Sequence, residues 1–264
     1  MTLPTARPND FLAGLRERPA RCRWGLWCSI PSPVTNELCA GAGFDWLLVD
    51  MEHSPAGLQD VYSALQAASA YPVSPVVRPP VNDPTWIKRL LDIGVRNLLV
   101  PFVQSADEAR AAVAAATYPP GGMRGLTLTS RANAFGRDAG YIGDGVRQIA
   151  VVAQIETRAA LDRLEEIAAV EGLAAVFLGP SDLSADFGHL GQPQAPEVQD
   201  AIADAAARLA RIGKPWGILA GSVEGAHAHA RQGASFVAAG SDLGLLRAAA
   251  DGLSARLRAP ATPG

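Results

Sequence analysis

Short apolar runs recur along the chain, each followed by a polar loop and then by an Ala- and Leu-rich stretch with apolar positions at helical spacing. The runs at 23–30, 46–50, 75–78, 97–102, 150–155, 174–178, 216–219 and 236–239 are too short for buried helices. They are read as strands. Helical patterns are predicted at 34–42, 57–70, 105–117, 158–169 and 196–212, with a last helix from 243. The helix after the third run starts at Asp83-Pro84-Thr85-Trp86, an N-cap followed by a proline in the first turn. A Gly- and Pro-rich excursion interrupts the beat from Tyr118 to about Gly145.

Strands alternating with helices imply a parallel sheet, and eight such units suggest closure into a barrel. The rival, an open doubly wound sheet, carries a Gly-rich phosphate turn after its first strand. Here that place holds Ser29-Ile30-Pro31-Ser32-Pro33, without glycine. The expectation is α/β, a single (β/α)8 TIM barrel spanning residues 1–264, with a core of about 20–258 and frayed Pro- and Ala-rich termini. A length of 264 residues suits one such domain.

Composition narrows the partners. Hydrophobic content of 48% and charged content of 19% describe a soluble globular protein, and a net charge of −3 gives no electrostatic case for nucleic acid, which would want a basic face. No apolar run is long enough to cross a bilayer, and the first eight residues lack the apolar core of a signal peptide. Cys22, Cys28 and Cys39 are odd in number and lack CxxC spacing, so they are read as reduced thiols of a cytoplasmic protein.

In such a barrel, chemistry sits on the loops after the carboxyl ends of the strands. Those ends carry Asp50, Glu52 and His53 after the second strand and Arg78 at the end of the third. The fifth ends in Gln154-Ile155-Glu156-Thr157, the sixth in Gly179-Pro180-Ser181-Asp182, the seventh at Leu219-Ala220-Gly221 and the eighth at Gly240-Ser241-Asp242. Glu156 and Asp182 follow adjacent strands, so their carboxylates can meet. Two carboxylates in a partly dry pocket repel, and either one holds a proton or a cation joins them. A hard divalent ion completed by water and a chelating substrate suits that pair. The competing role is capping of the following helices. Arg78, followed by two prolines, suits a carboxylate or a developing enolate oxygen, or a salt bridge to Asp50 or Glu52. His53 is the strand-end histidine and the natural base near neutral pH. His189 lies in a long loop, and His227 and His229 lie on an exposed helix pattern. The chain has two lysines, Lys88 and Lys214, neither at a strand's carboxyl end. A Schiff-base mechanism therefore lacks its amine, and carbonyl chemistry would need a metal.

At these residues the chain resembles the HpcH/HpaI family of metal-dependent pyruvate aldolases. The matching segments are 43–50 with Glu52-His53-Ser54-Pro55, Val77-Arg78-Pro79, Tyr118-Pro119-Pro120-Gly121-Gly122-Met123-Arg124-Gly125, Gln154-Ile155-Glu156-Thr157, and Gly179-Pro180-Ser181-Asp182-Leu183-Ser184. They occur in the family's order. The resemblance implies a divalent ion (Mg2+, Mn2+ or Co2+) on Glu156 and Asp182, no organic cofactor, and His53 as base, acting directly or through water. It implies substrate contacts from Arg78, Gln154, Ser181, Asp182 and Leu219, with Asp50, Glu52, Trp27 and Arg124 in support. It further implies a homo-hexamer, a trimer of dimers with the last helix exchanged, in which the partner subunit's Asp92 pairs with His53. The implied reaction is reversible cleavage of a 4-hydroxy-2-oxo acid, either 4-hydroxy-2-oxoheptanedioate or 5-keto-4-deoxy-glucarate, to pyruvate and an aldehyde. An acyl-CoA lyase of malyl-CoA type would want a basic surface for nucleotide phosphates, which is not evident. A non-catalytic sugar-acid binding protein would have lost parts of the strand-end cluster, and every member is present.

Overall fold

The structure, a computed structural model, describes residues 9–17, 21–143 and 145–259. Eight parallel strands close in chain order: β1 (Arg23–Cys28), β2 (Trp46–Asp50), β3 (Ser74–Arg78), β4 (Asn97–Val100), β5 (Ala150–Ile155), β6 (Leu173–Leu178), β7 (Trp216–Ala220) and β8 (Phe236–Ser241). Around them run α1 (Asp10–Arg16), α2 (Pro33–Ala40), α3 (Leu58–Ala68), α4 (Pro84–Asp92), α5 (Ala106–Ala116), α6 (Arg158–Asp162) and α7 (Leu164–Ala168). The ring is completed by α8 (Pro180–Asp186), α9 (Pro196–Arg211), α10 (Val223–Arg231) and α11 (Asp242–Arg258). The closed barrel is the one the eightfold beat predicts. Among the described residues no helix is long and apolar enough to cross a membrane.

The strands are apolar on both faces because both faces are covered. One set of side chains meets the helices, and the other fills the barrel. The filling is aromatic: Trp46 and Phe236 meet edge to face at 5.7 Å, and Phe177 and Trp27 lie above them toward the mouth. Rings this large need room opposite. Gly25 and Gly217 supply it, since a Cβ on either would collide with the Trp46 or the Phe236 ring.

Several elements differ from the sequence reading. The ordered core begins before residue 20: α1 sends Phe11, Leu12 and Leu15 into the barrel's foot, where Phe11 packs against Trp46 and Phe236. Seven helical residues are too few to make a clear periodic signal. The helix expected at 158–169 breaks into α6 and α7 at Arg163 (φ −105°, ψ 17°). An unforeseen helix, α8, opens on Pro180 directly after β6. Finally, β4 stops at Val100 rather than 102, because Phe102 is left-handed (φ 53°).

At the foot of the barrel Lys214 donates to the Leu173 carbonyl oxygen at 2.5 Å, and burial pushes its ammonium pKa down to about 8. Between that value and the ordinary lysine value the unfolded chain binds a proton that the folded chain lacks, so stability rises with pH in that window. Below it the burial penalty is fully present. Urea midpoints at pH 7.5 and 10 should therefore differ more for the native chain than for Lys214→Met, whose midpoint lacks this term.

Candidate active site

Asp50 and Arg78 are the last residues of β2 and β3 and are partners in the strand register. The register brings the two side chains together at the mouth. Arg78 grips Asp50 bidentately, Nε to Oδ1 at 2.9 Å and Nη2 to Oδ2 at 2.7 Å, and its Nη1 reaches Glu52 Oε2 at 2.8 Å. The Trp27 indole N–H donates to Asp50 Oδ2 at 3.1 Å, and its ring lies 4.8 Å from the guanidinium carbon. Burial alone would raise the Asp50 carboxyl, but the Arg78 hydrogen bonds and charge win and hold it below the usual range. Glu52, more weakly compensated, is raised by burial. Arg78 has five N–H donors, of which two are hydrogen-bonded to Asp50, while Nη1 meets Glu52 only as an ion pair. Donors on both terminal nitrogens are left for a ligand.

Asp50 also shapes the loop that follows. Its Oδ1 accepts the backbone N–H groups of Glu52 (3.0 Å) and His53 (3.4 Å). This turn presents the His53 ring to solvent, with 65% of the side chain exposed. Its Nε2 stands 3.9 Å from Glu52 Oε2, beyond hydrogen-bond range. The imidazole is accessible and, among the described residues, has no tight partner within the subunit.

Glu156 follows β5 and Asp182 lies in the first turn of α8, after the adjacent β6. Neither acid makes a side-chain cap, although Asp182 stays in the first turn of α8, where the helix dipole favours an acid. The N-cap of α6 is Thr157, which accepts from Ala160 N–H, and α8 has no side-chain cap. Glu156 is buried: Oε1 accepts from Gln154 Nε2 at 2.6 Å, and Oε2 accepts from the Phe102 backbone N–H at 2.9 Å. Burial, and next the facing Asp182 carboxylate, push the Glu156 carboxyl up to about 8. Gln154 Oε1 is buried without a hydrogen-bond partner. Two opposed carboxylates and an unsatisfied amide oxygen form an all-oxygen donor set, which suits a hard divalent cation completed by water and substrate. Among the described residues no group of three or more His, Cys, Asp or Glu side chains is placed to hold a metal ion, so the donor set here is limited to the two carboxylates and the Gln154 oxygen.

Gly179 makes room for this arrangement. A Cβ there would lie 2.8 Å from Glu156 Cγ and 2.9 Å from its Oε1. Gly179→Ala should displace the carboxylate and lower turnover about 10²-fold while the barrel still folds, checked by steady-state assay beside circular dichroism.

A cavity of about 230 Å3 at this mouth is lined by His53, Arg78, Gln154, Ser181, Asp182 and Leu219 together with Trp27 and Phe177, while Glu156 is buried outside its lining and Glu52 lines a separate recess with Phe102. Sequence reasoning missed Phe177 and Ser29. The first is an inward residue one place before the end of β6; the second was counted inside the first strand, which ends at Cys28. Asp242, a strand-end acid, does not face the cavity chemistry. It accepts the Ser29 and Ile30 amides at 2.9 Å each, tying the end of β1 to α11. Asp92 ends α4 at the foot, where Arg124 Nη2 holds its Oδ1 at 2.9 Å. Arg124 is itself buried between the Tyr118 and Tyr141 rings. One subunit therefore does not bring Asp92 to its own His53. His189 pairs with Glu197 at 2.9 Å. His229, expected on an exposed helix face, is buried beside Trp216 and bonds Gln232 through Nδ1, because the inner face of α10 is narrow and Ala-rich.

The profile described as HpcH/HpaI aldolase/citrate lyase matches residues 23–249, and the chain belongs to that family. It is 52% identical over 256 residues to a pyruvate aldolase of Rhizobium etli, covering 97% of this chain and 99% of that one. It is 49% identical over 255 residues to a 4-hydroxy-2-oxo-heptane-1,7-dioate aldolase of Escherichia coli, covering 96% and 97%. The crystal structure of an HpcH/HpaI aldolase/citrate lyase family protein from Burkholderia cenocepacia J2315 superposes with a TM-score of 0.91 at 36% identity, covering 95% of this chain and all of that one. The protein is a carbon–carbon lyase of the aldolase kind.

Proposed function

We propose that the protein is a class II aldolase that reversibly cleaves a 4-hydroxy-2-oxo acid to pyruvate and an aldehyde, using a divalent ion (Mg2+, Mn2+ or Co2+) on Glu156 and Asp182. The substrate is a dicarboxylate such as 4-hydroxy-2-oxoheptanedioate, named for the Escherichia coli relative, or 5-keto-4-deoxy-glucarate. The observation that carries the reading is the Glu156–Asp182 pair, uncapped and facing, beside the orphaned Gln154 oxygen. Electrostatics supports it: Arg78 is paired with Asp50 and Glu52, while Glu156 faces Asp182 and Glu52 with no paired cation among the groups acting on it. A mouth so acidic repels an anionic substrate unless a cation accompanies it.

The bound ion would supply a Lewis acid that draws charge from the carbon–carbon bond as it breaks. The remaining N–H groups of Arg78 donate to the pyruvyl oxygens and stabilise the enolate, held in place by Asp50 and Glu52. His53 takes the proton of the 4-hydroxyl, directly or through a water, while the C3–C4 electron pair passes to the pyruvate fragment. Asp92 of the partner subunit orients that imidazole in a hexameric assembly, which accounts for a base with no tight partner in its own chain. Leu219, Phe177 and Trp27 form the apolar wall against which the aldehyde half packs. Ser181, Asp182 and Gln154 face the carboxylate end.

The test is a pyruvate-release assay over a panel of 4-hydroxy-2-oxo acids, with and without each ion. Ion-dependent release from a dicarboxylate is expected. Absence of pyruvate from every member of the panel would overturn the assignment.

A further inference from the structure

We infer that Phe102 is a positioning residue for Glu156, acting through its main chain: a left-handed turn at this residue aims its amide at the ion-binding carboxylate. This rests on Glu156 being a ligand, as proposed above.

Along a strand, successive N–H groups point to opposite sides. At the end of β4 they do not. The Phe102 N–H donates to Glu156 Oε2 at 2.9 Å, and the next amide, Val103 N–H, donates to the Gln154 carbonyl at 3.0 Å. Both therefore face β5, and a strand continued through residue 102 could not place them so. The φ of 53° at Phe102 makes the turn. Among the described residues the other non-glycine positive values, Ala134 and Phe135, lie in the 118–145 excursion, away from the strand ends. A residue with a Cβ resists this conformation. The ring does not explain its choice by burial, since it is 52% exposed, whereas the carboxylate its amide serves is 3% exposed. Gln154 Nε2 holds the opposite oxygen. With one donor on each oxygen the carboxylate cannot rotate, and its remaining lone pairs stay turned toward Asp182. Without the amide, Oε2 would be a buried acceptor lacking a donor, free to swing from the ion.

The experiment reads divalent-ion affinity, with manganese alone as the titrant in calorimetry, for the native chain and for Phe102→Gly, Phe102→Ala and Phe102→Val. Thermal midpoints are recorded in parallel. Glycine adopts positive φ freely, alanine with strain, and a β-branched residue hardly at all. Expected is a dissociation constant for Phe102→Gly within about twofold of the native value, with Phe102→Ala weaker than Phe102→Gly and Phe102→Val weaker by about tenfold. The order must follow tolerance of the left-handed turn rather than side-chain size. Native-like affinity in Phe102→Val, or a tighter Phe102→Ala than Phe102→Gly, would overturn the inference. The Gly–Ala comparison decides it if the valine variant does not fold. A native protein that binds no manganese would bring down the ligand reading of Glu156 itself, a failure recognisable because it appears before any substitution.

Discussion

Arg78→Met is expected to destabilise the protein by about 3–5 kcal/mol, the range for removing one partner from a buried charge pair. It should also lower turnover by about 10²–10³-fold, the range for losing a donor to developing negative charge. The side chain is 5% exposed and answers two carboxylates at once. Removing it leaves Asp50 buried, charged and facing Glu52 with only the Trp27 indole and two amides to satisfy it. Arg78→Lys keeps the charge but loses the fork that grips Asp50, so its stability should fall between the two. A double variant, Arg78→Met with Asp50→Asn, should recover part of the lost stability, since the pair acts as one unit. Urea unfolding and pyruvate release measure both effects. A methionine variant as stable as the native chain would contradict this reading of the β2–β3 network.

Glu156→Gln should move stability and activity in opposite directions. The amide keeps the shape and the acceptor toward the Phe102 N–H, but removes the charge that burial and Asp182 oppose. The thermal midpoint without added ion is therefore expected to rise, while turnover drops by at least about 10³-fold through loss of a ligand. Asp182→Asn should follow the same pattern less strongly in stability, since that residue is solvent-exposed. A fall in both quantities for Glu156→Gln would mean that the carboxylate is part of the scaffold and not a strained functional group.

The barrel was legible because a parallel strand covered on both faces leaves an unbroken apolar run, and each helix an amphipathic one. Asp50 and Arg78 end such runs, Glu156 follows one directly and Asp182 lies four residues beyond another, so their places at the strand ends were legible. What escaped lay where backbone geometry or packing decides. The short α1 carries its signal in three apolar contacts, not in a repeat. Nothing in Pro101-Phe102-Val103 announces a left-handed residue, since glycine is the usual marker of one. Phe177 reads as one more apolar strand position until closure turns it to the mouth. His229 sits in an Ala-rich helix with few large apolar residues to define its inner face, so its burial against Trp216 emerges only from the packing.

The most direct test of the ion-assisted cleavage is pyruvate release by chelator-stripped protein, with metal content measured in the same sample. Turnover should fall to near background and return when magnesium, manganese or cobalt is added to native protein, but not when it is added to Glu156→Gln. Full turnover by protein shown to be free of metal would contradict the mechanism.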